Sequence, residues 1–391
     1  MSPVTDRAYG DRSLWLWWHG LRDRLHGQYG RANARWGHVR APHGGGPLVW
    51  VEAGGAEDSV RLGAGLLRAL RADRSDLRFV LSFEQEYPWL LERSLAGLER
   101  IGFGYGPSDS ARAVRRTLRA FAPLGVLMAA RFPGPGLSAA LEAAGIRCIA
   151  VHTPAATAGR FQAAYPADRG QAEAWHQCGR AAYIAPRADL RTLLVEAQVD
   201  PNLRAALCGS EGLGVWCLAG MRPEQFSGIN AWWRASALSR QGVLLIAPQE
   251  RVAGHMGWRL ISAWDRKALP AGSVILLDDR RWLPAAVIAS DAVHLDEVNA
   301  WAFWQILSAG RPVSVAHRSA ALSRLDADAA GTEDLFEEVP ALALLEPFWH
   351  ALQRDPIGGR RRGDGLRRLF WEERRRAAEV NRDLLGRVFA W

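Results

Sequence analysis

The sequence predicts an α/β protein built from two successive Rossmann-like domains, each with a parallel, doubly wound sheet. Three observations predict it. The chain has 391 residues, more than one ordinary domain uses and enough for two of about 150 to 200 residues. Short apolar runs alternate with helical stretches, and they do so twice, before and after a weakly patterned segment between about Thr153 and Gly212. The composition, 49% hydrophobic and 23% charged, is that of a globular chain able to bury two cores.

Taken in order, Asp11 to Trp36 carries Leu14, Trp17, Trp18, Leu21 and Leu25 at helical spacing, with Arg12, Arg22, Arg24 and Arg31 elsewhere on the wheel. Aromatic plus cationic is the composition of a helix lying in a bilayer interface; the other reading is a helix packing its tryptophans onto the protein's own body. Pro42 to Pro47 breaks the pattern. The first series reads as strands at Leu48 to Val51, Leu77 to Leu81, Gly125 to Ala129 and Arg147 to Val151. Helices are expected at Ser59 to Leu70, Trp89 to Leu98, Ala111 to Phe121 and Leu137 to Ala144.

The second series reads as strands at Val215 to Ala219, Val243 to Ala247, Ser273 to Leu277, Ala292 to Leu295 and Pro312 to Val315. Its helices are Asn230 to Leu238, Met256 to Leu269 and Ala300 to Ala309, with a turn at Asp278 to Pro284. Short buried strands separated by helices signal βαβ units and a parallel sheet. After a Gly/Pro/Arg stretch, Pro356 to Gly365, a last helix runs from Leu366 to Phe389. The expected division is an amphipathic, basic segment 1–46, a first Rossmann-like domain 47–200, and a second 201–391 whose final helix crosses back. Two such domains imply facing sheets with a cleft between the carboxyl ends of their strands, where these folds bind ligands.

The net charge is +8, and Lys267 is the single lysine, so the cations are arginines. Arginine grips phosphate in a planar, bidentate way, so anionic lipid, phosphorylated sugar and nucleotide fit this chain better than a cationic partner. Cys148, Cys178, Cys208 and Cys217 form no CxxC pair and no zinc-type cluster, and read as free thiols of a reducing compartment. The apolar cluster Leu14 to Trp18 is too short for a signal peptide, and no run reaches the 18 or so apolar residues of a membrane span. Gly54-Gly55-Ala56-Glu57-Asp58 is not GxGxxG, which disfavours a nicotinamide oxidoreductase.

The strand-to-helix turn Val49-Trp50-Val51-Glu52-Ala53-Gly54-Gly55-Ala56-Glu57-Asp58 resembles the opening of the bacterial Kdo (3-deoxy-D-manno-octulosonic acid) transferases, a tryptophan-containing strand followed by H-A-x-S-x-G-E. Further segments follow in the family's order. Tyr105-Gly106-Pro107-Ser108-Asp109 resembles Y-x-P-x-D, Gly220-Met221-Arg222-Pro223-Glu224-Gln225 part of A-G-S-T-H-x-G-E-E, and Pro248-Gln249-Glu250-Arg251 part of A-P-R-H-P-E-R. Leu276-Leu277-Asp278-Asp279-Arg280 resembles L-L-D-T-x-G-E-L, and Ala309-Gly310-Arg311-Pro312-Val313 the closing A-x-G-x-P-V. The resemblance spans Pro47 to Val315. It implies a GT-B glycosyltransferase fold and transfer of Kdo from CMP-Kdo, or another sugar from its nucleotide, to a lipid A-type glycolipid. It implies neither metal nor separate cofactor, and a place at the cytoplasmic face of the inner membrane.

Carried onto this chain, the resemblance places the catalytic base at Asp58, with Glu57 beside it as the second candidate. Gly220, Arg222, Glu224, Pro248, Arg251 and Gln305 would hold the donor, and Glu52, Gly54, Gly55 and Arg61 the acceptor. Expected partners are a nucleotide sugar, a glycolipid and a membrane surface, and no nucleic acid. The bland reading of Glu57 and Asp58 is charge complementarity at a helix start, and that of the arginines is a solvated surface. His152 and His255 read as structural histidines. The departures are specific. The family's E-x-E-L-W-P-N meets Met128-Ala129-Ala130-Arg131-Phe132-Pro133-Gly134, its G-G-H-N-x-x-E falls on Asn299 to Gln305, and Glu52 stands where it has histidine. Such losses also suit a non-catalytic paralogue binding a glycolipid or a partner, or a transferase with a different nucleotide-sugar donor.

Overall fold

The computed structural model describes residues 13–131, 134–196, 202–209, 212–249, 252, 257–318, 325 and 335–391. It divides into two compact units, 1–194 with 376–391, and 195–375. The first begins with two short helices, α1 (Ser13–Leu25) and α2 (Tyr29–Arg35). Gly27, at φ +73°, takes the left-handed turn between them. The helix read from the sequence as one is therefore two. Leu16 and Asp23 of α1 are buried, and Asp23 accepts a 2.5 Å hydrogen bond from Arg35 Nε of α2. Trp17 and Trp18 are 59% and 60% exposed, so these two tryptophans do not pack on the body.

Next come β1 (Leu48–Ala53), α3 (Glu57–Asp73), β2 (Arg78–Phe83), α4 (Pro88–Leu95), β3 (Ile101–Tyr105), α5 (Ala111–Phe121), β4 (Gly125–Ala129), α6 (Pro135–Ala143), β5 (Arg147–Val151), β6 (Ala163–Tyr165) and α7 (Arg169–Cys178). All pairings are parallel, in the order β3-β2-β1-β4-β5-β6. β1 is central and buried on both faces, which is why its sequence is a continuous apolar run. Val49, Val51 and Ala53 pack against Val60, Leu66 and Leu67 of α3 and against Ala377, Val380, Leu384 and Val388 near the chain end. Leu48 and Trp50 point the other way, to Val114 and Phe121 of α5, Leu137 of α6 and Trp175 of α7.

The second unit holds α8 (Leu203–Cys208), β7 (Gly214–Met221), α9 (Phe226–Ala235), β8 (Gly242–Pro248), β9 (Arg259–Leu260), β10 (Val274–Leu276), α10 (Leu283–Ala289), β11 (Ala292–Leu295), α11 (Ala300–Ser308), β12 (Val313–Val315), β13 (Phe336–Glu338) and α12 (Leu345–Arg354). A last helix, α13 (Pro356–Phe389), runs through the boundary near Arg375 into the residues counted with the first unit. The sheet order is β13-β12-β11-β7-β8-β10-β9, again parallel. Trp216, Trp233 and Trp349 fill its core, with the Trp216 and Trp349 rings stacked at 5.8 Å.

Several elements differ from their sequence reading. The expected helix from Met256 to Leu269 does not form over its described part, 257–269. That stretch holds β9 and a 3-10 turn at Ile261–Ala263, with Arg266 left-handed at φ +60°. Asp278 accepts from the Ser262 amide at 3.1 Å and Asp265 from the Lys267 amide at 3.2 Å, local bonds that compete with a helix. β3 lies in a segment the periodicity leaves unassigned, β6 and α7 (a helix, as a helical connector there would give) in the weakly patterned one after Thr153, and α10 begins inside the expected turn at Asp278 to Pro284. β3 reads Ile-Gly-Phe-Gly-Tyr, and two glycines in five residues hide a strand's signal. The Gly/Pro/Arg stretch from Pro356 is the opening of α13, with Pro356 at its first position and Asp355 Oδ1 accepting from the Gly358 amide at 2.9 Å.

Candidate functional site

Because every strand is parallel, the residues that end β1, β2, β4 and β5 share one edge of the first sheet. Glu52, one place before the end of β1, is wholly buried. It pairs with Arg131, which follows β4, and accepts from the Ser82 hydroxyl of β2, itself hydrogen-bonded by Trp50 Nε1 at 2.5 Å. Arg131 Nε also lies 3.3 Å from Glu84. A side chain at Gly106 would put its Cβ 2.6 Å from Glu52 Oε1, so the loop after β3 needs glycine there. Glu52, expected at the acceptor, is placed inside this ionic cluster.

The β1–α3 turn is closed by small residues. A Cβ on Gly54 would stand 3.2 Å from Ser59 Oγ, and one on Gly55 3.3 Å from Glu84. Ser59 Oγ donates to the Ala130 carbonyl at 2.9 Å and the Tyr87 hydroxyl to that of Gly55, also at 2.9 Å. Glu57 and Asp58 form the first turn of α3, where the helix dipole favours carboxylates. Glu57 accepts from Arg61 Nη2 at 2.8 Å, and Arg61 lies over the Trp89 ring. Asp58 faces Arg191 at 3.8 Å, and Arg191 holds Asp189 with a bidentate pair at 2.7 and 2.8 Å. Asp58, Glu57, Arg61, Gly54 and Gly55 thus come together at one strand end.

Behind Asp189 stands His152, buried in a left-handed backbone conformation at φ +52°. Its Nε2 lies 3.1 Å from the Ala188 carbonyl oxygen and 3.2 Å from the Leu190 amide, and its Nδ1 3.7 Å from Asp189. Burial pushes its pKa down to about 4. His294, on β11 of the other unit, shares that cause and that value. Both imidazoles are neutral in the fold but titrate near 6.5 when unfolded. The unfolded chain therefore binds more protons between about pH 6.5 and 4, and stability falls as pH drops through that window. Urea titrations at pH 7 and pH 5 check this, since the His152→Asn/His294→Asn variant should lose less stability between the two pH values than the parent. An equal loss would clear the two histidines of the effect.

In the second unit, the chain leaves β7 to the β8 side while β11 pairs on its other side, so the strand order reverses between β7 and β11. Gly220 forms a bulge near the end of β7 at φ +83°, and a Cβ there would lie 2.2 Å from the Glu297 carbonyl oxygen. A cavity of about 200 Å³ opens beside this reversal. Its polar lining is Arg222, Gln225, His294, Asp296 and His317, and its apolar wall includes Met221, Val339 and Leu342. Gln225 Oε1 accepts from the Arg222 amide at 2.6 Å, and its Nε2 donates to Asp296 Oδ2 at 2.7 Å. His294 Nδ1 lies 3.1 Å from Ser314 Oγ.

Of the residues expected at the donor, Gly220 and Arg222 lie at this edge, Pro248 ends the neighbouring strand, and Glu224 is exposed in a 3-10 turn. Arg251 and His255 lie outside the described residues. Gln305 is 1% exposed and bonds the Glu196 backbone, its Oε1 accepting from the amide at 3.0 Å. Sequence reading passed over His294 and Asp296. Their signal was position, at and just beyond the end of a strand next to the point where the order reverses. Among the described residues no group of three or more His, Cys, Asp or Glu could hold a metal ion.

No family model matches the chain and no curated protein matches it in sequence. Solved structures do match in fold. The UDP-GlcNAc 2-epimerase from Neisseria meningitidis, bound to UDP-GlcNAc, has a TM-score of 0.53 at 12% identity, covering 81% of this chain and 94% of that one. The glycosyltransferase SnogD from Streptomyces nogalater has a TM-score of 0.52 at 12% identity, covering 86% and 99%. The chain has the GT-B fold. A further UDP-N-acetylglucosamine 2-epimerase reaches a TM-score of 0.56 at 11% identity, over 90% of this chain and 98% of the other. At these identities the likeness is one of fold alone.

Proposed function

We propose that the chain is a glycosyltransferase that moves a sugar from a nucleotide-activated donor to a glycolipid acceptor at a membrane surface. The observation that carries this reading is the polar cavity beside the strand-order reversal of the second unit, the place where doubly wound sheets take nucleotides. UDP-GlcNAc bound to the Neisseria epimerase and UDP bound to the S. aureus protein MnaA support it by analogy of fold. The motifs in their order point to Kdo, carried by CMP, as the sugar and a lipid A-type glycolipid as the acceptor.

In such a transfer the acceptor hydroxyl gives its proton to a carboxylate base. Its oxygen forms the new bond to the anomeric carbon, and the bond to the donor phosphate breaks with its electron pair leaving on the nucleotide. Asp58 occupies the base position. Glu57 is engaged by Arg61 on its own helix. Arg222, exposed at the cavity rim, is the cation placed to meet the phosphate charge.

The membrane surface is supported by α1. Between Leu16 and Pro47 the single carboxylate is Asp23, which is buried against Arg35. Among the exposed residues of the segment are the apolar Trp17, Trp18, Leu25 and Tyr29 and the cations Arg22, Arg24 and Arg40, groups suited to an anionic bilayer. Deleting the residues before Ala41, or changing Trp17 and Trp18 to serine, should lower co-sedimentation with phosphatidylglycerol vesicles several-fold. Undiminished sedimentation of both variants would remove the helix from this role.

The donor part of the reading is tested by thermal shift with CMP, UDP and GDP. A nucleotide at a hundred times its dissociation constant adds about 2.7 kcal/mol. A shift from one of the three is expected; none from any of them would favour the non-catalytic paralogue.

A further inference from the structure

We propose that Asp296 is the group that reads the ribose of the nucleotide, accepting its vicinal hydroxyls in the second unit's cavity. This rests on the nucleotide reading above. Gln305, one of the polar residues expected from sequence to hold the donor, is buried and holds both the amide and the carbonyl of Glu196. Its side chain is occupied in fixing the backbone. Glu224, another of them, is exposed in its turn and does not line the cavity.

Asp296 lines the cavity and is held from two sides. Its backbone amide donates to the Ala219 carbonyl of β7 at 2.9 Å, which anchors it at the reversal point. Its Oδ2 accepts from Gln225 Nε2, and Gln225 is in turn fixed through Oε1 by the Arg222 amide. A carboxylate restrained in this way is preorganised. Oδ1 takes no hydrogen bond from the described residues, and a carboxylate oxygen can accept more than one. The matching ligand must bring donors, and a pair of adjacent hydroxyls does so; a carboxylate taking a ribose hydroxyl is an established device of nucleotide-binding sheets. His294, whose Nδ1 lies 3.1 Å from Ser314 Oγ, lines the same cavity, so a sugar ring there would meet an imidazole as well as the carboxylate. The 200 Å³ of the cavity suits one ring of the ligand, with Arg222 at its rim for the phosphate.

The experiment is isothermal titration of the full chain and of Asp296→Asn and Asp296→Ala with CMP and UDP and with their 2′-deoxy counterparts. Circular dichroism and thermal melting verify that each variant is folded, and Asp296→Asn, which keeps the shape, serves if the alanine variant is not. The parent should prefer the ribonucleotide by about tenfold or more, as expected for hydrogen bonds to a charged group. In the variants that preference should fall to about twofold or less, with the affinity for the deoxynucleotide nearly unchanged. Nucleotide binding with no preference in the parent, or with the preference intact in Asp296→Asn, overturns the assignment and leaves the nucleotide reading standing. Binding of no nucleotide at all overturns both.

Discussion

Replacing Asp58 by asparagine should lower turnover by about 10²-fold or more, while the same change at Glu57, to glutamine, should leave most of it. The amide keeps the size and much of the hydrogen bonding of the carboxylate and removes only its basicity, which is what a general base supplies. The two residues are neighbours in the first turn of α3 and are both 8% exposed, so burial does not distinguish them. Their partners do. Glu57 forms an i,i+4 pair with Arg61 on its own helix, whereas Asp58 faces Arg191, which a bidentate contact to Asp189 holds in place. Folding should lose no more than about 2 kcal/mol, the upper value for a helix-start carboxylate in a partly buried turn. Initial rates and urea midpoints for both variants check this. Equal rates for the parent and Asp58→Asn would remove Asp58 from the chemistry.

The largest effect on stability is expected at Arg131. Both it and Glu52 are nearly or wholly excluded from water, and breaking such a pair by removing one partner costs about 3 to 5 kcal/mol because the other is left charged in the core. Arg131→Met should therefore destabilise the first unit by roughly that amount. The double variant Glu52→Leu/Arg131→Met should recover most of the loss, since replacing both partners by apolar groups of similar volume is often close to neutral. Urea unfolding followed by intrinsic fluorescence measures both. A single variant costing under about 1 kcal/mol, or a double variant costing more than the single, would mean that the pair is not the buried ionic contact described here.

Where the sequence was legible, the reason is the fold's own periodicity. β4, β5, β11 and α5 have the bounds that apolar runs and helical spacing predict, because central parallel strands are buried on both faces and leave an unbroken apolar signature. β3 and β6 were not, lying at the two edges of their sheet; β6 has only three residues, and β3 is diluted by Gly102 and Gly104. The region after β8 was misread because the stretch Trp258 to Leu269 buries Trp258, Ile261, Trp264 and Leu269 from an irregular chain held by local side-chain bonds.

The candidate site was legible in the same uneven way. Local motifs point to the β1–α3 turn, whose candidate residues are neighbours in sequence. They could not show that Glu52 is matched by Arg131, 79 positions away (131 − 52), nor that His152 meets Asp189 through a strand end and a distant loop. His294 and Asp296 have no motif of their own. They line one cavity with Met221, Arg222 and Gln225 because β7 and β11 are neighbours.

The central claim is tested most directly by transfer itself. The chain would be incubated with CMP-Kdo, or with the UDP- or GDP-sugar whose nucleotide it binds, labelled in the sugar, together with a lipid A-type glycolipid in vesicles. The expected result is label passing into the lipid fraction together with release of an equal amount of free nucleotide, both reduced about 10²-fold in Asp58→Asn. Label that stays with the donor, from a folded chain that binds none of the nucleotides, would contradict it.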